Sequence, residues 1–118
     1  MQDVQSTGES SAAAAAPVDV HVQGGIKRTL LQRVEVPAGT SASPHTHPGV
    51  EIGYVIGGEF YLCIEGKPDQ HQQLGSSYAI PGDAVHYARV PGPEPLKVLC
   101  VFVIDKDRPL ATVERPAP

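Results

Sequence analysis

The chain has 118 residues and a mass of 12.4 kDa, which suits one domain around one core. Nine Lys and Arg against thirteen Asp and Glu leave a charge of −4, which argues against a nucleic-acid partner, and no run of about 18 apolar residues offers a membrane span. Gly and Pro number 12 each, so turns are frequent and strands short; with no Trp and two Phe, the core must rest on Val, Ile, Leu and Ala.

Residues 1–24 differ from the rest. Gln2 to Ser11 is polar, and Ala12–Ala16 is a low-complexity run stopped by Pro17. Such a segment buries little surface and is expected to be loose. It is no signal peptide as it stands, since it lacks a basic start and an apolar stretch of sufficient length. Two readings of its origin stay open. An intact chain from Met1 places the protein in the cytoplasm; Met1 joined to a trimmed chain suits an exported, periplasmic protein.

From Lys27 to Val36 the composition is that of a strand, closed by Pro37-Ala38-Gly39. Glu51–Ile56 is a second strand, ended by Gly57-Gly58. Glu59–Glu65 follows, and Gly66-Lys67-Pro68-Asp69 reads as a turn. Ser77–Ile80 and His86–Val90 are two more, each closed by a Pro-Gly pair. Leu96 to Ile104, the most apolar run, reads as a buried strand. Beyond Asp107 the chain is polar. Short strands with turns every 8–12 residues or so predict an all-β sandwich or barrel. Cys63 and Cys100 lie inside apolar alternating stretches and are expected to be buried free thiols.

Chemistry concentrates in three of the five histidines and one glutamate. His45 and His47 are two apart, so on a strand they share a face. Glu51 lies past Pro48-Gly49, a bend that lets its carboxylate return to the same centre. His86 arrives from a distant strand. Three neutral imidazoles and a carboxylate suit a divalent transition metal (Fe, Mn, Ni, Co, Cu or Zn) and suit Mg or Ca poorly. Taken alone, His45 and His47 in a Pro/Gly-rich loop read more readily as surface residues than as a ligand pair. Glu51, however, opens an apolar strand, where an unpaired inward carboxylate is costly.

The spacing Gly39, five residues, His45-Thr-His47, three residues, Glu51, six residues, Gly58 resembles the first motif of the cupin family, with every fixed position met. Gly75, Pro81 and His86 match the second motif. Asp83 stands where that motif carries a second Gly, and Val90 where it carries Asn. The resemblance covers about Lys27 to Pro109. It implies a small antiparallel double-stranded β-helix, a cupin or jelly-roll barrel, over residues 25–110, with a flexible segment before it and a tail over 111–118. It implies one metal inside one mouth, held by His45, His47, Glu51 and His86, with positions left for substrate. Members often dimerise through sheet packing or exchanged N-terminal strands, so a homodimer is implied. Asp107-Arg108-Pro109-Leu110-Ala111 is similar to a closing segment of small exported bacterial cupins.

Strand alternation extends the site. If Glu51 points inward, so do Gly53 and Val55; if His86 does, so do Ala88 and Val90. These four give a modest, apolar pocket, with Gly53 either leaving space beside the metal or marking a bulge or a close backbone approach. Tyr61 and Tyr78 read first as packing residues, His71 as part of a solvated loop, and His21 as part of the loose segment. The first functional reading is metal-dependent oxygenation, of dioxygenase type, of a small aromatic or enol-type molecule. Glu51 then supplies negative charge and a proton relay. The alternatives are Lewis-acid isomerase or lyase chemistry on a carbohydrate or hydroxy acid, and a binding module without turnover. No nucleotide loop or serine-nucleophile elbow is present.

Overall fold

The computed structural model describes the backbone of residues 11–14, 18–22 and 25–118, and side chains from residue 25 onward. Among the described residues there is no helix, and twelve strands form two antiparallel sheets. The first sheet holds β1 (Ser11–Ala14), β2 (Val18–Val22), β3 (Gly25–Val36), β6 (Gly49–Gly57), β9 (Ser77–Ile80) and β11 (Leu96–Asp105). Its order is β1-β3-β11-β6-β9, with β2 also on β3. The second holds β4 (Thr40–Ser41), β5 (His45–Thr46), β7 (Phe60–Ile64), β8 (Gln70–Gln72), β10 (His86–Val90) and β12 (Thr112–Val113). Its order is β12-β5-β10-β7-β8, with β4 also on β10. This is the antiparallel double-stranded β-helix that the motif resemblance implies, and it meets the all-β expectation of the strand pattern.

The strands form because apolar residues recur at every second position. On β11, Leu96, Val98, Cys100, Phe102 and Ile104 are buried, while Leu99 and Val103 between them are 38% and 40% exposed. The prediction of a strand buried throughout is therefore corrected: only one face of β11 is covered. Its outer apolar residues join Leu31, Val50, Ile52 and Tyr54 on the outside of the first sheet. The core lies between the sheets, where Val55, Leu96 and Val98 of the first meet Phe60, Leu62 and Val90 of the second. A second cluster, Cys100, Phe102 and Ile104, packs against Leu30, Val34 and Leu110. Cys63 and Cys100 are buried free thiols.

Both ends of the chain carry strand pairing. Where a loose segment is predicted, the backbone of β1 and β2 runs antiparallel to β3, Val18–Val22 aligning with Gly25–Thr29; the rest of residues 1–24 lies outside the described residues. The Val-Asp-Val-His-Val alternation of β2 is the signal for it, and pairing satisfies the open edge of a twelve-residue strand. The chain beyond 110, expected as a tail, comes back to pair Thr112 with Thr46 and Val113 with His45. The loop expected around His71 is β8, paired with β7.

Gly58 fixes the turn between β6 and β7. Its φ is +71°, and an added Cβ would stand 2.3 Å from the Pro95 carbonyl oxygen, a backbone atom that cannot step aside. Gly66 has φ +83° but open space around it. Gly58→Ala is expected to cost about 2–3 kcal/mol and to lower the thermal midpoint by roughly 10 °C; Gly66→Ala, with conformational strain alone, should cost about 1 kcal/mol. Thermal melts of the two variants check the ordering.

Candidate metal centre

The centre lies at one end of the space between the sheets. Across β5 and β10, His45 is paired with His86, so two imidazoles are set side by side by backbone register. His47 follows one residue beyond β5. Glu51 enters from β6 in the opposite sheet, in register with Phe102 of β11 and Ile80 of β9. The His-x-His spacing and the Pro48-Gly49 bend thus serve different sheets. Gly49 is needed there, because a Cβ would lie 2.0 Å from the Val103 carbonyl oxygen.

The ligand atoms of His45, His47 and His86 all lie within 4.8 Å of one another, and the ring centroids are 4.4–5.0 Å apart. Each Nδ1 faces a carbonyl oxygen: Ser43 for His45 at 2.7 Å, Leu110 for His47 at 2.7 Å, Ala84 for His86 at 2.9 Å. That network assigns each Nδ1 its proton and leaves Nε2 as the ligating atom. Glu51 Oε1 stands 3.1 Å from His47 Nε2 and 3.6 Å from His86 Nε2. Tyr78 donates its hydroxyl to the other carboxylate oxygen at 2.9 Å. His47, Glu51 and His86 are 4–8% exposed. The donor set fits a divalent transition metal: three oriented imidazole nitrogens, those of His47 and His86 on buried rings and that of His45 on a partly buried one, beside one carboxylate.

The electrostatics favour that arrangement. Burial is the main cause holding His45 below the ordinary histidine range; His86 and His47 add to it, and the Ser43 carbonyl opposes it. Burial works against ionisation of Glu51, but its contacts with His47 and His86 and the hydrogen bond from Tyr78 outweigh it and hold the carboxyl at about 2. Glu51 is therefore an anion, and its charge together with burial pushes the Cys100 thiol up to about 12. Cys100 lines the cavity as an inert thiol. Burial first, and then Glu51, raises Tyr78 well above the ordinary phenol, so its proton stays on oxygen.

The residues predicted beside the metal separate in space. Ala88 lines the cavity of about 160 Å³ that opens from the histidines. Val55 and Val90, 0% and 1% exposed, sit in the packed core instead. Each lies four residues beyond its ligand, about 13 Å farther along its strand, so alternation fixed their face and not their depth. Gly53 leaves no room for a ligand: a Cβ there would stand 2.2 Å from the Tyr78 ring, which fills that space. Tyr78, read as a packing residue, is the group the sequence undervalued. The signal was a glycine inside an apolar strand, which pairs directly with Tyr78 on β9. Phe102, whose ring meets His47 edge-on at 4.8 Å, and the Leu110 carbonyl were also missed. His71 stacks on Tyr61 and pairs with Glu59 at 2.6 Å on β8, apart from the centre. A larger groove of about 550 Å³ lies outside the first sheet, bounded by Leu31, Ile52, Tyr54 and Leu99; the ligands belong to the smaller inner cavity.

A family model described as Cupin domain matches residues 32–102. No curated protein matches the chain in sequence. Among solved structures, DMSP lyase DddQ from Ruegeria pomeroyi DSS-3 is similar at 24% identity and a TM-score of 0.68, over 86% of this chain and 52% of that one. The chain thus spans about half the length of that lyase. An uncharacterized conserved protein with a double-stranded beta-helix domain from Klebsiella pneumoniae is similar at 21% identity and TM-score 0.70, over 95% of this chain and 90% of that one. The polyketide cyclase RemF from Streptomyces resistomycificus is similar at 19% identity and TM-score 0.68, over 96% and 78%. At these identities the likeness is one of fold.

Tyr78→Phe keeps the ring and removes the donor to Glu51. The carboxylate then loses a bond that lowers its pKa, so in the metal-free protein Glu51 is expected to titrate at higher pH than in the unaltered chain. A carbon-13 titration of the Glu51 carboxyl checks the direction.

Proposed function

The chain belongs to the cupin family, and from that premise we propose that it is a metal-dependent enzyme of dioxygenase type acting on a small, largely apolar organic molecule. The observation that carries this reading is the meeting of three Nε2 atoms and one carboxylate at the end of an apolar cavity. His45, His47 and His86 hold the metal, with Glu51 as fourth ligand. A divalent Fe, Mn, Ni, Cu or Zn supplies a Lewis-acidic centre with open positions, and Fe adds redox capacity toward oxygen.

The cavity narrows the substrate class. Apart from the four ligand residues, its lining is apolar except for the Tyr78 hydroxyl and the Cys100 thiol, and it contains no Lys or Arg. An acid with two or more charges would find no compensating cation beyond the metal. Its volume, about 160 Å³, is close to that of the apolar cavities that accept a benzene-sized molecule. We read the substrate as a small phenol or enol, whose oxygen faces the histidines while its carbon frame lies against Phe60, Leu62 and Val98. Both atoms of oxygen enter the product and the substrate itself supplies the electrons. Glu51 accepts the substrate's hydroxyl proton, Tyr78 keeps its own and orients that carboxylate, and Phe102 shields His47 from water.

The same Glu51–Tyr78 pair favours a second reading, proton transfer in isomerase or lyase chemistry on a hydroxy acid or carbohydrate, with the metal as Lewis acid. A binding module without turnover is the third. Metal analysis of the purified protein, followed by oxygen-electrode assays on small phenols and enediols, separates them. The expected result is one metal per chain and oxygen uptake that His47→Ala abolishes, with metal affinity reduced more than about 100-fold. Anaerobic turnover with the same metal would favour the second reading, and tight binding without turnover the third.

We also read the outside of the first sheet as the contact with a second copy. Leu31, Ile52, Tyr54 and Leu99 surround Val101, which pairs with Leu31 on one side and Ile52 on the other. Four strands at ~4.8 Å spacing and six residues at ~3.3 Å rise make a face of roughly 19 by 20 Å. That is about 380 Å² in plan, roughly half of the ~800 Å² each partner of a standard interface buries, so the contact extends to the residues around this patch. Its apolar centre meets its own copy without charge conflict, with Arg33, the strand partner of Leu99, at the edge of the patch. Sedimentation should show a dimer that Ile52→Lys converts to a folded monomer; a monomeric unaltered protein would remove this contact.

A further inference from the structure

The segment Asp107–Ala111 has no part in the cavity, yet it crosses directly behind a ligand. Two of the three histidines are oriented by their own strands. The acceptors for His45 and His86 are Ser43 and Ala84, each two residues earlier. His47 differs, because its acceptor, the Leu110 carbonyl, lies 63 residues away in sequence. The orientation of His47 therefore depends on where the C-terminal strap is held.

Several contacts hold it. Leu110 packs against the Cys100, Phe102 and Ile104 cluster. Thr112–Val113 pairs with β5, and the Glu114 N–H donates to the Pro44 carbonyl at 2.8 Å. Between the end of β11 and Leu110, Arg108 provides the anchor. Its Nη2 donates to Asp83 Oδ1 at 2.8 Å, and its Nη1 to Asp105 Oδ2 at 3.3 Å.

Asp83 is the unexpected member. It has a φ of 60° and is the one non-glycine with positive φ among the described residues. Gly suits that backbone at no steric cost, whereas a side chain there is strained. What Asp adds is a carboxylate, and that carboxylate receives Arg108. The Asp83 N–H meanwhile donates to the His47 carbonyl at 2.9 Å. The contacts close a circuit: His47 backbone to Asp83, Asp83 carboxylate to Arg108, and the strap's Leu110 carbonyl back to the His47 ring.

We propose that Asp83 and Arg108 form a latch that positions His47, holding the C-terminal strap where Leu110 fixes the ring's Nδ1–H tautomer and aims Nε2 into the metal centre. Its effect on metal affinity rests on the metal-binding reading above; its effect on the ring does not. Both latch residues are positioning residues, since neither lines the cavity. The pair is half exposed, with side chains 50% and 60% accessible, so its influence is modest and screened by salt.

The test uses full-length protein with nitrogen-15-labelled histidine. In the metal-free form, the His47 Nδ1–H should be protected from solvent exchange. Arg108→Gln should speed that exchange by about threefold to fivefold, with His45 and His86 unchanged; Arg108→Lys should recover most of the protection, and 0.5 M salt should mimic part of the loss. Asp83→Gly should loosen His47 equally without lowering the thermal midpoint, because Gly accepts the backbone. Competition between the protein and a chelator for Zn²⁺ should show affinity falling by a similar factor in both variants. Unchanged Nδ1–H exchange in both would overturn the latch, as would a midpoint that falls in step with the exchange rate in Asp83→Gly. If the unaltered protein binds no Zn²⁺, the metal reading fails, and the exchange data still decide the latch.

Discussion

The mouth of this barrel depends on where three imidazole protons go. A buried histidine has two ring nitrogens and, when neutral, one proton, so a metal site needs that proton held on the side away from the centre. Carbonyls of Ser43, Leu110 and Ala84 do this for His45, His47 and His86. Without them the rings could turn, and three imidazoles with centroids 4.4–5.0 Å apart would share no common focus. None of these carbonyls belongs to a residue whose side chain suggests a role. The orientation is set by backbone, hence by strand register and by the strap.

This explains which parts of the site were legible in the sequence. Ligand identity follows from residue type and spacing, so His45, His47, Glu51 and His86 can be picked out before any fold is known. The inward face of β6 and β10 follows from alternation. Depth does not: Val55 and Val90 share a face with Glu51 and His86 but lie a strand's length deeper, inside the core. Carbonyl partners are invisible in sequence for a similar reason, since every residue has one and only register decides which is used. The fold class was legible because turn residues punctuate the chain so regularly. The outer pairings were less so; β1 and β2 are held by backbone bonds to β3, which composition does not report.

Gly53 and Tyr78 show how a gap in one strand becomes a feature of the site. Across β6 and β9 the two residues are partners, and the ring occupies the volume a Cβ at Gly53 would need. A larger residue at Gly53 would push the phenol aside and remove the donor from Glu51. The glycine read as empty space beside the metal is instead what admits a hydroxyl to the carboxylate. That bond is buried and charge-assisted, so it weighs more than an exposed one would. It also places a hydroxyl donor beside an otherwise apolar wall.

β11 joins these features. Its inner face, Val98, Cys100 and Phe102, forms one wall of the cavity; its outer face, Leu99, Val101 and Val103, runs across the exposed side of the first sheet. The strand is apolar on both faces although only one is buried, which is why its sequence looks like that of a strand buried throughout. Alternation pins its register, because a slip of one residue would send Phe102 outward and bring Val101 or Val103 against His47. Beyond it, Asp105 and Arg108 start the strap that ends on the His47 ring. The wall of the cavity, the outer apolar face and the support of one ligand are thus consecutive parts of one strand and its extension.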